Sequence, residues 1–430
     1  MHYGHPLQFG VFITPLSRAP EAVVELARRS EELGYDLVTF QDHPYLPGNL
    51  DAWTLLAWVA GQTERVRLAA NVLSLPLRPP ATLARAAASL DLLSGGRLEL
   101  ALGAGASWEG IAAMGGPRRA PGEAVAALGE AIEVIRGLWD AGEPGPLRFA
   151  GAHYRVDGAQ RGPTPAHDIP IWLGAYRPRM LRLVGQRADG WLPSLSYLGP
   201  GQLRDGNRII DEAARAAGRD PREIRRLLNI AGRFAPARGG PLDGPSEQWV
   251  EELLPLVVEE GVSTLILAAD DAETIERFAR EVMPALREAA ARALPAAPPA
   301  PIRRAAARAK RHPGIDYDRL PASLAATAIE PGDLGYARVR STYMRGGAPG
   351  IVLPVRSTAE VAEALAFARA HPGVPLSIRS GGHGISGRST NRGGIVIDLS
   401  PLNAIEVLDV AARRVRVGPG ARWMQVAAAL

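Results

Sequence analysis

No cysteine occurs among the 430 residues, which excludes disulfides, thiolate nucleophiles and cysteine-ligated zinc. Lysine is almost missing too: Lys310 stands alone, so arginine supplies the other 48 of the 49 basic residues. Together with abundant alanine, glycine and proline, that skew points to a GC-rich coding sequence rather than to selection for a polyanionic partner. The formal net charge is only +4, and nucleic-acid binding is not expected. No apolar run approaches the roughly 18 residues of a membrane-spanning helix. The opening residues, MHYGHPLQFGVFITPLSR, lack a basic stretch followed by an apolar one. The expectation is a cytoplasmic protein with no membrane partner.

What is present is the balance of a globular protein, 47% hydrophobic and 22% charged, in a chain long enough for two domains. Apolar strand-like runs alternate with amphipathic stretches up to about residue 290. The strand candidates are Leu7–Ile13, Tyr35–Phe40, Val66–Leu73, Arg97–Leu102, Ile169–Leu173, Ala188–Leu192, Arg226–Ala231 and Ser263–Ala268. Eight β–α alternations over this length fit a (β/α)₈ barrel, with a doubly wound open sheet as the alternative. Residues from about Trp108 to Pro170 exceed one repeat and predict an insertion after the fourth strand. Residues 291–335 read as a linker, densest in Ala, Pro and Arg over 291–315. The cluster Arg303, Arg304, Arg308, Lys310 and Arg311 within it is read as a solvated tether, with polyanion binding as the alternative. Beyond the linker, Gly350–Pro354, Leu376–Ser380, Gly394–Leu399 and Arg413–Val417 predict strands and Thr358–Ala370 a helix.

In a β/α barrel, function sits at the C-terminal ends of the strands. There the second strand delivers Asp42 and His43, where a carboxylate could orient an imidazole that handles protons. A polar surface turn is the competing reading. The third strand carries Asn71 and Val72, a polar residue inside an apolar run that needs a partner or a purpose. The fourth and fifth strands run into small-residue turns, Gly103-Ala104-Gly105 and Gly174-Ala175, whose amides could approach a phosphate. The first is not a dinucleotide fingerprint, because Trp108 occupies the third glycine position.

These segments together resemble the luciferase-like monooxygenase family, particularly its deazaflavin-dependent oxidoreductases. The matching words are FGVF, EELGYDLVTFQDH, LAANVLSLPLRPPATLARAAASLDLLSGGRLELALGAG, IPIWLGA and ADGWLPS, in order over residues 7–290. The resemblance implies a TIM-type barrel over 1–290 that binds FMN or a deazaflavin coenzyme. In such proteins the residues matching His43 and Asp42 stand beside the ring, with the histidine hydrogen-bonding or deprotonating the substrate. The strand matching Asn71-Val72 supports the ring from behind, often through a non-prolyl cis peptide. The turns matching Gly103, Ala104, Gly105, Gly174 and Ala175 hold the phosphate. Sugar-phosphate dehydrogenases of this group carry an acid directly after the phosphate-turn glycine. Here Ala106 stands there and Glu109 is shifted, so that enzyme's acid–base pair and substrate are not carried over.

The words GIVLPVRSTAEVAEAL, PLSIRSGGHGISGRST, GGIVIDLSPLNAI and VRVGPGARWMQV resemble FAD-linked oxidases of the vanillyl-alcohol oxidase/berberine-bridge type over residues 336–430. The resemblance implies an α+β, PCMH-type FAD-binding subdomain, incomplete here, as in the front part of a longer fusion. In a completed domain it makes Arg379, Ser380, Gly381, Gly382, His383 and Gly384 the pyrophosphate cradle, with His383 at the position that often bonds covalently to FAD; the segment by itself is not expected to bind FAD productively. The function expected is a flavin- or deazaflavin-dependent oxidoreductase or monooxygenase acting on a small organic substrate. A flavin reductase and a second copy of the chain are the expected protein partners, and no metal is expected. A non-catalytic flavin-binding protein is the alternative.

Overall fold

The computed structural model describes residues 3–141, 143–294, 302–303, 305–333 and 335–430. They divide into two units, Met1–Pro165 with Ile169–Ala297, and Ala166–Asp168 with Pro298–Leu430. No helix among the described residues is long and apolar enough to cross a membrane.

The first unit is a parallel barrel. Nine strand segments lie in the order Arg67–Ala70, Leu37–Phe40, Gln8–Ile13, Thr264–Ala268, Arg225–Ile230, Gly190–Trp191, Ile171–Leu173, Leu100–Gly103 and Leu73–Ser74. The first and last of these are two pieces of one strand, parted at a cis Asn71–Val72 peptide. A parallel bridge between Leu68 and Leu98 joins the two edges, so eight strand positions close into a ring. All eight lie where the apolar runs predicted them. Strands covered on both faces need continuous apolar sequence rather than alternation, and Leu37–Phe40 and Arg67–Ala70 are accordingly buried at every position.

Alternate side chains fill the ring. Leu37, Ala69, Ala101, Trp172, Leu192, Leu227 and Ile266 form one buried cluster with Phe12 and Val72 against it, the layered interior of such a barrel. The opposite faces pack under the surrounding helices. Four of those helices open on a proline, Pro20, Pro80, Pro121 and Pro178, where the missing N–H costs nothing and φ is already helical. At the N-terminal rim, Gln8 Oε1 accepts from both Arg67 and Arg225, each at 2.6 Å, and Arg67 pairs with Glu99. The insertion after the fourth strand contains the helix Trp108–Ala113 and an antiparallel hairpin, Leu147–Ala150 with Arg155–Ala159.

The second unit holds a three-stranded parallel sheet with Ile395–Asp398 between Ile351–Pro354 and Leu376–Arg379. Helix Thr358–Arg369 buries Ala364, Phe367 and Ala368 in its core. An antiparallel pair, Ile405–Asp409 with Arg414–Val417, follows. Its first strand lies outside the predicted strands, and Glu406–Asp409 are all exposed.

Two features depart from the tether reading of residues 291–335. Ile315, Leu324 and Ala328 lie in the second unit's buried cluster. Arg303, buried, pairs with Asp333 at 2.5 Å and Glu330 at 3.0 Å, and Arg311 reaches Glu330 at 2.6 Å. The cations are therefore matched by carboxylates some twenty to thirty residues downstream, a separation at which a local charge run shows only one sign. Arg304 and residues 295–301 lie outside the described residues.

Candidate functional site

The barrel's C-terminal mouth gathers the residues singled out in its strands. Asp42 follows the strand Leu37–Phe40 and is buried. It was expected to orient His43, and the geometry corrects this. Its carboxylate accepts the Ser74 amide at 2.9 Å and the Arg78 guanidinium at 3.1 and 2.8 Å. Arg78 also reaches Asp51 at 2.7 Å. A buried carboxylate takes the strongest donors within reach, and a bidentate guanidinium outcompetes a neighbouring imidazole. Burial works to raise the Asp51 carboxyl, but the Thr54 amide and Arg78 outweigh it and hold it below the usual carboxylate range.

His43 instead meets Tyr45: Nδ1 lies 2.7 Å from the phenol oxygen. Neither Tyr45 nor Arg78 was singled out in the sequence. Arg78 carried a usable signal, since a cation immediately before the Pro-Pro that opens a helix sits at the wrong end of the helix dipole and needs a carboxylate. Tyr45 carried none beyond being an aromatic in a polar turn.

Asn71 is satisfied inside the ring. Its amide donates to Asn229 Oδ1 at 2.7 Å and to Thr39 Oγ1 at 3.3 Å, and it accepts from Asn229 at 3.1 Å. Asn229 also donates to Ser194 Oγ at 3.1 Å. Three strands and the loop after a fourth are thus locked by one polar network. Next to it, Val72 fills the space above two glycines. A Cβ on Gly103 would fall 2.8 Å from Val72 Cγ2, and one on Gly174 would fall 3.3 Å from it. The glycines therefore serve first to admit Val72. Gly105 has φ +111° and faces the Trp108 ring, a conformation that favours glycine.

The two turns also leave donors at the mouth. Among the described residues, the amides of Ala104, Gly105, Ala106, Ala175 and Tyr176 donate to no backbone carbonyl. Glu109 is exposed. No group of three metal-ligating side chains occurs among the described residues.

In the second unit the glycine turn follows Leu376–Arg379. Arg379 is committed internally, donating to the carbonyls of Val339, Ser341 and Arg338, and Ser380 Oγ donates to Pro419 O. Among the described residues, the amides of Gly381, Gly382, His383 and Gly384 donate to no backbone carbonyl. Gly382 has φ +72°, and the exposed His383 ring lies 6.4 Å from that of Tyr343.

Comparison with known proteins places this geometry. The family model of luciferase-like monooxygenases matches residues 1–236, and that of an FAD binding domain matches residues 349–430. An F420-dependent glucose-6-phosphate dehydrogenase of Amycolatopsis mediterranei is 32% identical over 222 residues, 49% of this chain and 64% of that one. Another of that description, from Nocardia farcinica, is 31% identical over 234 residues, 52% of this chain and 68% of that one. The chain spans 60% to 64% of the length of the first curated relatives it matches. The structure of an F420-dependent secondary alcohol dehydrogenase in complex with an F420-acetone adduct aligns over 65% of this chain and 99% of that one, with TM-score 0.58 and 22% identity. A monooxygenase from Streptomyces bottropensis aligns over the same shares with TM-score 0.57 and 20% identity. At those identities the likeness is one of fold. With its closed parallel ring and its match over more than half its length, the chain belongs to the luciferase-like monooxygenase family.

Proposed function

We propose that the barrel, residues 1–290, is a cytoplasmic oxidoreductase that uses a deazaflavin coenzyme, as the relatives' names describe for those proteins, on a small organic substrate. The observation that carries this reading is the set of five amides without a backbone acceptor in the turns after Gly103 and Gly174, grouped around the glycines that flank Val72. Such a group of N–H donors suits the phosphate of a coenzyme side chain. Val72, with Asn71 locked behind it, would back the ring, and His43 would face the substrate. When bound, the coenzyme supplies a carbon that accepts or delivers hydride. The protein's part is to hold that ring against Val72, exclude water and present the His43 imidazole to the substrate. Arg78 acts one step back, fixing Asp42 and with it the start of the 42–49 loop.

Titration of the cofactor-free protein with the deazaflavin coenzyme and, separately, with FMN tests the reading. Saturable quenching by the deazaflavin and weaker quenching by FMN is expected. A preference for FMN would move the assignment to a monooxygenase fed by a flavin reductase, and binding of neither would remove the enzyme reading. In the loaded enzyme, His43→Ala should lower turnover by about 10²–10⁴-fold, the range of lost acid–base catalysis. Pairing into a homodimer belongs to this proposal and is read from sedimentation. For the second unit we infer that, once the domain is completed, the amides of Gly381–Gly384 take the pyrophosphate of FAD and His383 is the attachment point. In a protein that carries the completed domain, flavin that stays with the denatured wild-type chain but not with His383→Ala would support this.

A further inference from the structure

The His43–Tyr45 pair specifies where a proton sits. Nδ1 and the phenol oxygen are 2.7 Å apart, with ring centroids 5.5 Å apart and planes at 48°. Such a contact has two forms: the phenol donates to a bare Nδ1, or Nδ1–H donates to the phenol oxygen. Tyr45 keeps its proton at neutral pH. Burial is the largest influence and raises the phenol, the Ser107 backbone N–H opposes it, and the charge of Asp42 raises it further.

A protonated phenol has one hydrogen to place. The Ser107 N–H, whose influence lowers the phenol, can only donate, so it cannot receive that hydrogen. The Asp42 carboxylate, whose charge is felt at the phenol, is engaged by Ser74 and by Arg78. His43 Nδ1, 2.7 Å from the phenol oxygen, is the protein acceptor that the geometry offers it. The tyrosine ring has little freedom to turn away, because it lies against the backbone of Gly110, where a Cβ would fall 2.7 Å from Tyr45 Cγ. With Nδ1 accepting, a neutral His43 must carry its proton on Nε2.

We propose that Tyr45 is a positioning residue that holds His43 as the Nε2–H tautomer. The mouth then presents a hydrogen-bond donor, and the substrate group facing it is an acceptor oxygen, as in a ketone or aldehyde carbonyl, rather than a donor seeking a base. This substrate class rests on the oxidoreductase reading of the same mouth, whereas the tautomer does not.

Nitrogen NMR of the full-length, cofactor-free protein with ¹⁵N-labelled histidine tests it, with the His43 signals identified by their loss in His43→Gln. The expected wild-type pattern is a protonated Nε2 and an unprotonated Nδ1. Tyr45→Phe should convert it to a mixture of both tautomers. A wild-type proton on Nδ1, or a Tyr45→Phe pattern identical to wild type, overturns the proposal. If Tyr45→Phe does not fold, fluorotyrosine at position 45 replaces it. Its more acidic phenol should move the Nδ1 resonance, and an unmoved resonance overturns the assignment. Absence of coenzyme-dependent turnover in the wild-type protein that shows the expected tautomer pattern would count against the oxidoreductase reading alone.

Discussion

At the scale of single residues, the mouth is governed by a few side chains whose removal leaves something buried and unpaired. Asp42 is 3% exposed, and Arg78 is its charged partner. Truncating one member of such a pair strands the other's charge, at a cost of about 3–5 kcal/mol. Arg78→Met should therefore lower unfolding stability in urea by that order, and adding Asp42→Asn should recover part of it. An effect under about 0.5 kcal/mol for the single variant would mean that Asp42 does not depend on Arg78. The two turn glycines make a graded pair. Gly103→Ala brings a methyl to 2.8 Å from Val72 and Gly174→Ala only to 3.3 Å. The first must displace Val72, and the second needs a shift of a few tenths of an ångström. Coenzyme dissociation constants should rise by about tenfold or more for Gly103→Ala and by less for Gly174→Ala. The reverse order would show that Val72 is not the group that backs the ring.

At the scale of elements, the ring is tied to its helices by buried polar contacts as well as apolar packing. Tyr35, just before the second strand, donates its phenol hydrogen to Ile275 O at 2.8 Å and stacks on Phe278. Burial pushes its phenol far above the usual value. A group with a raised folded-state value adds stability that is complete below the unfolded value of about 10 and is lost as pH rises above it. Tyr35→Phe should lose about 1 kcal/mol at neutral pH, yet its melting temperature should fall less steeply than the wild type's between pH 10 and 11.5. Parallel alkaline slopes for the two proteins would refute this. At the N-terminal rim the order is inverted: burial, reinforced by Arg67, pushes Arg225 down to about 9. Gln8 accepts from both guanidiniums, which lets two cations share one end of the barrel.

At the scale of the whole molecule, the two units have separate buried clusters, one centred on the barrel strands and one on Ile351–Pro354 and Ile395–Asp398. Each cluster can then unfold as its own cooperative step. Leu228→Ala and Leu353→Ala remove fully buried side chains, one from each cluster, and each should cost about 2–5 kcal/mol. Calorimetry should show two transitions, with Leu228→Ala lowering one and Leu353→Ala the other. A single transition shifted equally by both variants would show that the units unfold together.

Sequence by itself determined the eight-strand grammar of the barrel, the positions of its strands and the residues delivered to their C-terminal ends. Those features depend on local apolar runs and small-residue turns, which neighbouring residues dictate. Closure of the ring was open in the pattern and was decided by the Leu68–Leu98 bridge, a contact between strands. Tertiary structure also decided the partners. Asp42 faces Arg78 rather than His43, Asn71 faces Asn229 across 158 residues, and Arg303 is matched by Glu330 and Asp333 rather than by solvent. A hydrogen bond or ion pair is chosen by which donors and acceptors folding brings within about 3 Å of each other, and adjacency in the chain carries no such information.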